Sequence, residues 1–371
     1  FNYSFSMDFW KSYREILAPL SKVDSKKFIS HHYMGLTRNV LRYGWLVTYL
    51  FGASATVCKS FMQDYHEHNL EEFDDNTLYL PYATSLRMGD IGYQNSQEDK
   101  KGVKANYNSL RHFIYSLRAA MQTSCDDFES IGVKKDGEYQ QLNTNILQIA
   151  NEYYSSVRPK PPINGSDRPL GALLNEGVGY IELRSLDVNP MMKEGIDEEQ
   201  VQFLEAFMLF CLLEDSPAIS TSELHEIDVN ANLVAHRGRE PGLLLSHNGE
   251  DLTLLNWGKS ILDKVNECSM LMSETHQKSV RNISKRIFDP DLTPSAQMLN
   301  QMKDEEKGFF EYTDQFSRKN KKLFNEMSIA DEFFAELDHQ KTLSVNRQLE
   351  IESGDTLSFD DFLADYFSSD T

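Results

Sequence analysis

At 371 residues the chain is long enough to bury a large core, as one big domain or two smaller ones. It is 40% hydrophobic and 25% charged, an ordinary globular balance, and 37 basic against 57 acidic residues leave a formal net charge of −20. That excess of acid argues against a nucleic-acid surface, which needs clustered Lys and Arg, and any anionic ligand must meet a local cationic patch or a metal ion.

In chain order, Phe9, Tyr13, Ile16, Leu17 and Leu20 recur at helical spacing and predict a helix over 8–20. Asp24 or Ser25 then caps a second helix over 26–42. The stretch 45–58 (WLVTYLFGASATVC) is the most apolar of the chain. It is too short to span a membrane and is interrupted by Gly, Ser and Thr, so it reads as buried core. Acidic, turn-like residues at 63–77 predict a surface loop. His66, Glu67 and His68 within it read as solvent-facing rather than as metal ligands. A third amphipathic helix is predicted over 107–122, with Leu110, Phe113, Ile114, Leu117 and Met121 on one face.

Asp136-Gly137 is a turn signal between short extended runs. Residues 145–157 predict a strand leading into irregular chain, and the Pro- and Gly-rich stretch 159–169 a loop. A short helix over 170–175 precedes a strand over 179–185. Beyond Asn189-Pro190 the pattern becomes helical. Residues 197–200 (DEEQ) form a capping box that opens a helix through Glu214. Its apolar run 206–213 (AFMLFCLL) implies burial on most sides. Helices dominate from 252 onward, and the acidic, aromatic segment from Ser353 is expected to pack loosely. The chain thus divides at residue 190 into a sheet-bearing part, 1–190, and a mostly helical part, 191–371.

Cys58, Cys125, Cys211 and Cys268 stand far apart, which reads as reduced thiols of a cytoplasmic protein. Neither a dinucleotide fingerprint nor a P-loop is found, and a signal peptide is not expected.

Three segments carry polar side chains suited to chemistry. In Tyr180-Ile181-Glu182-Leu183-Arg184, strand alternation puts Tyr180, Glu182 and Arg184 on one face and the two aliphatics on the other. Glu182 can ligate a hard cation through oxygen, and Arg184 can fork onto a carboxylate or phosphate. A half-exposed strand with a cross-strand ion pair accounts for the same pattern. Segment 80–93 (LPYATSLRMGDIGY) sets Arg87 and Tyr93 around two glycines, so that one turn can present both to a ligand. Segment 151–160 offers Tyr154, an aromatic wall with a hydroxyl, and Arg158 held extended by the proline after it.

In sequence order these segments resemble the proteobacterial glutamate–cysteine ligases. The resemblance runs through RNVLRYGWLVTYLFGASATVC (38–58), LPYATSLRMGDIGY (80–93), LNTNILQIANEYYSSVRPK (142–160) and GYIELRSLDVNP (179–190). It continues through DEEQVQFLEAFM (197–208) and RGREPGL (237–243) to FDPDLTPSAQML (288–299), and fades towards the C-terminus.

The resemblance implies an α+β fold in which a glutamine-synthetase-like funnel of antiparallel strands is flanked by helices, with a mostly helical C-terminal part. It implies ATP-dependent ligation of the γ-carboxyl of L-glutamate to L-cysteine through a γ-glutamyl phosphate, the step that opens glutathione biosynthesis. The expected partners are ATP, L-glutamate and L-cysteine, with Mg²⁺ as cofactor and neither nucleic acid nor membrane; a monomer is the expected state. On matching positions Glu182 is implied as a Mg²⁺ ligand and Arg184 as the catalytic arginine on the cysteine side. Arg87, Tyr93 and Tyr154 are implied as the cysteine pocket, and Asn2 and Ser4 as ATP contacts.

The family's H-x-N-x-S pattern begins with a metal-binding His that would precede Asn2. The resemblance therefore implies a longer ligase, with on the order of 150 further residues carrying the acidic metal ligands. Two other readings remain open: another carboxylate–amine ligase of the same fold, and a fragment that acts only as a binding module.

Overall fold

From its N-terminal side the chain forms a short strand, β1 (Asn2–Tyr3), and helices α1 (Met7–Leu17), α2 (Ser25–Tyr43) and α3 (Trp45–Phe51). These come from a computed structural model that describes residues 1–20, 22–62, 68–92, 104–162 and 168–368. The Asp24 carboxylate caps α2 as expected, accepting the backbone N–H groups of Lys26 at 2.9 Å and Lys27 at 3.3 Å. In α1 the buried residue is Trp10, set edge-on to Tyr33 with ring centroids 4.8 Å apart. Phe9 and Tyr13 pack beside it, but Ile16, Leu17 and Leu20 stay exposed. The helix ends at Leu17 because Pro19 disfavours helical backbone at the residue before it, so Leu20 never joins the stripe.

All seven residues of α3 are buried, which accounts for the apolar stretch at 45–58. Strands β2 (Thr56–Cys58), β3 (Glu71–Glu72) and β4 (Thr77–Tyr79) then pair antiparallel in the order β2-β4-β3. The expected loop over 63–77 is therefore partly a sheet, although 63–67 lie outside the described residues. Thr77 and Leu78 are fully buried there, and this burial, with pairing to β2, overrides an acidic composition.

Helix α4 (Leu110–Gln122) takes its cap from Ser109 and buries Phe113, Ile114 and Leu117 on the predicted face. After α5 (Asp126–Ile131), strands β5 (Lys134–Lys135) and β6 (Glu138–Tyr139) form a hairpin. At its turn Asp136 and Gly137 both have positive φ, 54° and 87°. The strand expected from 145 lies instead at β7 (Val157–Lys160), after irregular chain and a 3-10 turn, Ala150–Glu152. Pro159 within β7 is tolerated because β7 is an edge strand, where a missing N–H breaks no ladder. Helix α6 (Pro169–Glu176) leads to β8 (Tyr180–Leu183), the central strand of an antiparallel sheet ordered β1-β8-β7.

Next come α7 (Glu198–Leu213), α8 (Thr221–Arg237), a hairpin of β9 (Leu244–His247) and β10 (Glu250–Thr253), α9 (Leu254–Ser269) and α10 (Glu274–Phe288). Helix α7 is the centre of the packing, touching α2, α9 and α10. Its Phe203, Leu204, Ala206, Phe207, Met208 and Cys211 are fully buried, as the unbroken apolar run implied. The Asn39 amide of α2 donates to the carbonyls of Cys211 at 3.0 Å and Glu214 at 2.9 Å, closing orphan acceptors at the end of α7. One contiguous core thus draws on residues either side of 190.

Helices α11 (Pro294–Asp304), α12 (Phe309–Glu326), α13 (Asp331–Gly354) and α14 (Phe359–Ser368) complete the chain. Among the described residues α13 buries none, whereas α14 docks on the β5-β6 hairpin and on Arg168. Phe359 meets Tyr139 edge-on at 4.8 Å, Lys134 pairs with Asp360 at 2.7 Å, and the Arg168 guanidinium lies 3.9 Å from the Tyr366 ring. The segment expected to pack loosely is in part held by aromatic and ionic contacts. The fold is α+β, and its sheets among the described residues are antiparallel.

Candidate active site

The β1-β8-β7 sheet has an apolar and a polar side. Ile181 and Leu183 of β8 are buried in the core together with Val157 of β7, and Tyr3 of β1 packs against them. The register then sets Asn2, Glu182 and Arg158 side by side on the opposite face, with Lys160 beside Tyr180. Period-2 alternation on a central strand with one buried face permits no other arrangement. Asn2 and Ser4 are exposed, on β1 and just past its end.

Among the described residues of these three strands, Glu182 is the one carboxylate on this face. It accepts from Arg184 Nε at 2.8 Å and lies 3.5 Å from Lys160 Nζ. Burial pushes the Glu182 carboxyl up, but these two cations outweigh it and hold the group below its ordinary value. Burial likewise pulls the Lys160 amine down, with the charges of Arg158 and Arg184 acting in the same direction and Glu182 opposing. Arg158 turns its guanidinium inward, donating to the carbonyls of Ala150 at 2.9 Å and Asn151 at 3.4 Å. It braces the 3-10 turn ahead of β7 rather than facing a ligand.

The second cluster arrives on a compact turn. Met88 N–H donates to Ser85, Gly89 to Leu86 and Gly92 to Gly89, all within 3.0–3.2 Å. A methyl group on Gly92 would run into the Arg87 carbonyl, so glycine there permits the close approach. Arg87 is delivered to the end of β8, where its terminal nitrogens donate to the Tyr154 hydroxyl at 3.3 Å and the Arg184 carbonyl at 3.2 Å. The structure thus brings Arg87, Tyr154, Arg184, Glu182 and Asn2 to one region, whereas Tyr93 lies outside the described residues. The result is a local cationic face on a chain of strongly negative net charge, suited to carboxylate and phosphoryl groups.

Asp187, which the motif reading passed over, underlies that face. Its buried carboxylate accepts from Arg87 Nε at 2.7 Å, the Ala53 N–H at 2.8 Å and the Ser54 hydroxyl at 2.7 Å. The signal available in the sequence was an acid set among apolar residues just after a strand. Ala53, Ser54, Arg87 and Asp187 also line a cleft of about 680 Å³ whose other side is Phe309, Thr313 and Phe316 of α12. Below the turn, Asp90 Oδ1 lies 3.0 Å from His236 Nε2 and 3.6 Å from His68 Nδ1. His68 is therefore partly buried instead of solvent-facing. His66 and Glu67 are outside the described residues.

A carboxylate oxygen at Glu182 suits a hard divalent cation, but a full site needs several such donors. Among the described residues no group of three or more His, Cys, Asp or Glu side chains is placed to hold a metal. Glu182 by itself offers one such donor, and it would give up its pairs with Arg184 and Lys160 to meet a cation.

With this geometry in place, the likenesses to known proteins are informative. The family model described as glutamate-cysteine ligase matches residues 1–234. The chain is 38% identical over 375 residues to the glutamate–cysteine ligase of Shewanella halifaxensis, covering 100% of this chain and 71% of that protein. It is 39% identical over 374 residues to the enzyme of Pseudomonas paraeruginosa, covering 70% of it. Among solved structures it superposes with a TM-score of 0.90 and 29% identity on the Francisella tularensis glutamate–cysteine ligase in complex with AMP, over 99% of this chain and 72% of that one. A bifunctional glutathione synthetase from Pasteurella multocida shares the fold at a TM-score of 0.62 and 18% identity. Sequence, topology and the polar face of the β1-β8-β7 sheet converge, and the chain belongs to the glutamate–cysteine ligase family.

Proposed function

We propose that the protein joins the γ-carboxyl of L-glutamate to the amine of L-cysteine with consumption of ATP, the opening step of glutathione biosynthesis. The γ-carboxylate attacks the terminal phosphorus of ATP, giving γ-glutamyl phosphate and ADP. The cysteine amine then attacks the acyl carbon, phosphate leaves with the bonding electrons, and the amine proton is lost to solvent. The observation that carries this reading is the convergence of Arg87 and Arg184 on the end of β8, linked through the Arg184 carbonyl at 3.2 Å. This contact sets the Arg87 guanidinium against the backbone of a second arginine, so both cationic side chains stand at one end of the strand, which suits an acceptor carboxylate beside a developing phosphoryl charge.

In this reading Arg87 and Tyr154, with Tyr93, hold the acceptor amino acid, and Arg184 stabilises charge at the acyl phosphate. Asn2 and Ser4, exposed at the β1 edge, meet the nucleotide. Glu182 is the proposed magnesium ligand; bound Mg²⁺ would neutralise charge on the phosphates. The four cysteines stand as thiols, three of them buried, and none is needed as a nucleophile because the substrate amine attacks. We place the reaction in the cytoplasm and expect a monomer with no nucleic-acid partner. No described helix is long and apolar enough to cross a membrane.

The test is phosphate release from ATP with glutamate and cysteine varied separately. Release is expected only when both are present, with cysteine preferred over serine and alanine. Equal rates with another amine would identify a different carboxylate–amine ligase.

A further inference from the structure

We infer that Asp187 is a positioning residue that sets the specificity of the acceptor pocket by holding the Arg87 guanidinium in one orientation. The inference rests on the reading of Arg87 as the residue that grips the acceptor carboxylate.

The Asp187 side chain is 3% exposed, and a carboxylate so buried persists only where its oxygens are fully used. Oδ2 accepts two hydrogen bonds, from the Ala53 N–H and the Ser54 hydroxyl, which tie it to the chain leaving α3. Oδ1 is left for Arg87 Nε at 2.7 Å. The Leu86–Met88 turn joins the same segment through the Ser54 carbonyl, which accepts the Leu86 N–H at 2.7 Å. Three separate pieces of chain are therefore locked together by one carboxylate: the exit of α3, the Arg87 turn and the segment after β8.

A guanidinium has five N–H groups in a rigid plane. Here Nε is spent on Asp187, one N–H goes to the Tyr154 hydroxyl and one to the Arg184 carbonyl. By count two N–H groups remain, one on each terminal nitrogen, with no hydrogen-bond partner among the described residues, and a guanidinium can use such donors to grip a carboxylate. Without Asp187 the side chain keeps its charge but loses the bond that selects this rotation. The residue thus acts through Arg87 and need not touch substrate itself.

The experiment measures steady-state constants for cysteine, glutamate and ATP in the enzyme and in Arg87→Lys, Asp187→Asn and the double variant. Arg87→Lys is expected to raise the cysteine KM about tenfold to hundredfold, the size of one lost charged hydrogen bond. Asp187→Asn is expected to raise it about tenfold with the ATP value unchanged, and the double variant to be no worse than Arg87→Lys alone, since both act through one group. An effect of Asp187→Asn that adds in full to that of Arg87→Lys, or that falls equally on all three substrates, overturns the positioning role and leaves the reading of Arg87 standing. An unchanged cysteine KM in Arg87→Lys overturns that reading, and the inference with it. Should Asp187→Asn fail to fold, Ser54→Ala removes one bond from the same carboxylate. It is expected to raise the cysteine KM several-fold, and an unchanged value there rejects the inference.

Discussion

Glu182 faces Arg184 at 2.8 Å and Lys160 at 3.5 Å, and the two cations hold its carboxyl below the ordinary value against the opposing effect of burial. A carboxyl depressed by folding adds stability above its unfolded value, about 4.3 for Glu, and loses it as pH falls through the folded value. Glu182→Gln is therefore expected to flatten the acid limb of the thermal midpoint below about pH 4 while moving the midpoint at pH 7 little, because partly exposed pairs contribute little. Turnover should respond more strongly. The amide removes the charge that a hard cation prefers, so activity is expected to fall at least tenfold and to demand more Mg²⁺. Normal turnover at limiting Mg²⁺ would make Glu182 a structural residue of its strand. At this scale the alternation of Tyr180, Glu182 and Arg184 was legible in the sequence. The inward turn of Arg158 was not, because the carbonyls it meets lie on a loop whose path depends on the packing of α4 and α6.

At the scale of elements, the turn that bears Arg87 depends on glycine for space rather than for unusual dihedrals. Neither Gly89 nor Gly92 has positive φ, but a methyl group on either would meet a neighbour, the His236 ring at Gly89 and the Arg87 carbonyl at Gly92. Backbone cannot move aside as a flexible side chain can. Gly92→Ala is therefore expected to shift Arg87 and raise the cysteine KM about tenfold or more, judged by loss of one charged hydrogen bond, with the ATP constant unchanged. A cysteine KM equal to that of the parent enzyme would show that the turn has room to spare. Helix caps and turns were legible because their chemistry is local: Asp24, Asp197 and Asp136-Gly137 act within a few residues. Strands β3 and β4 were not, since their acidic, turn-like composition is overridden by the burial of Thr77 and Leu78 against β2, and β7 was not because Pro159 argues locally against a strand.

For the whole molecule, the division at residue 190 marks a change of composition, while the main core runs across it. Helix α7 packs on α2 from the N-terminal side and on α9 and α10 from the C-terminal side. Phe207, fully buried at this crossing, is expected to cost about 3–5 kcal/mol when cut to Ala. Both parts should then unfold together. Trp10 and Trp45 report on one part and Trp257 on the other, with Trp45 and Trp257 centroids 5.0 Å apart. Urea transitions followed by tryptophan fluorescence and by far-UV circular dichroism are expected to coincide in parent and variant, with the variant midpoint lower. Two resolved transitions would show that the parts fold independently.

The sequence by itself determined the helical C-terminal part, the burial of 45–58 and 206–213, the two-faced strand at 180–184 and the likeness to a ligase family. Each of these is written in residue type and short-range spacing, which act through local backbone preference and side-chain hydrophobicity. Only the tertiary structure decided what faces what. It set Lys160 beside Glu182, turned Arg158 away from the face, and placed Asp187 under Arg87, one hundred positions apart in the chain. Such pairings follow from sheet register and from the buried carboxylate's need for donors, and both are settled by the packing of the whole core.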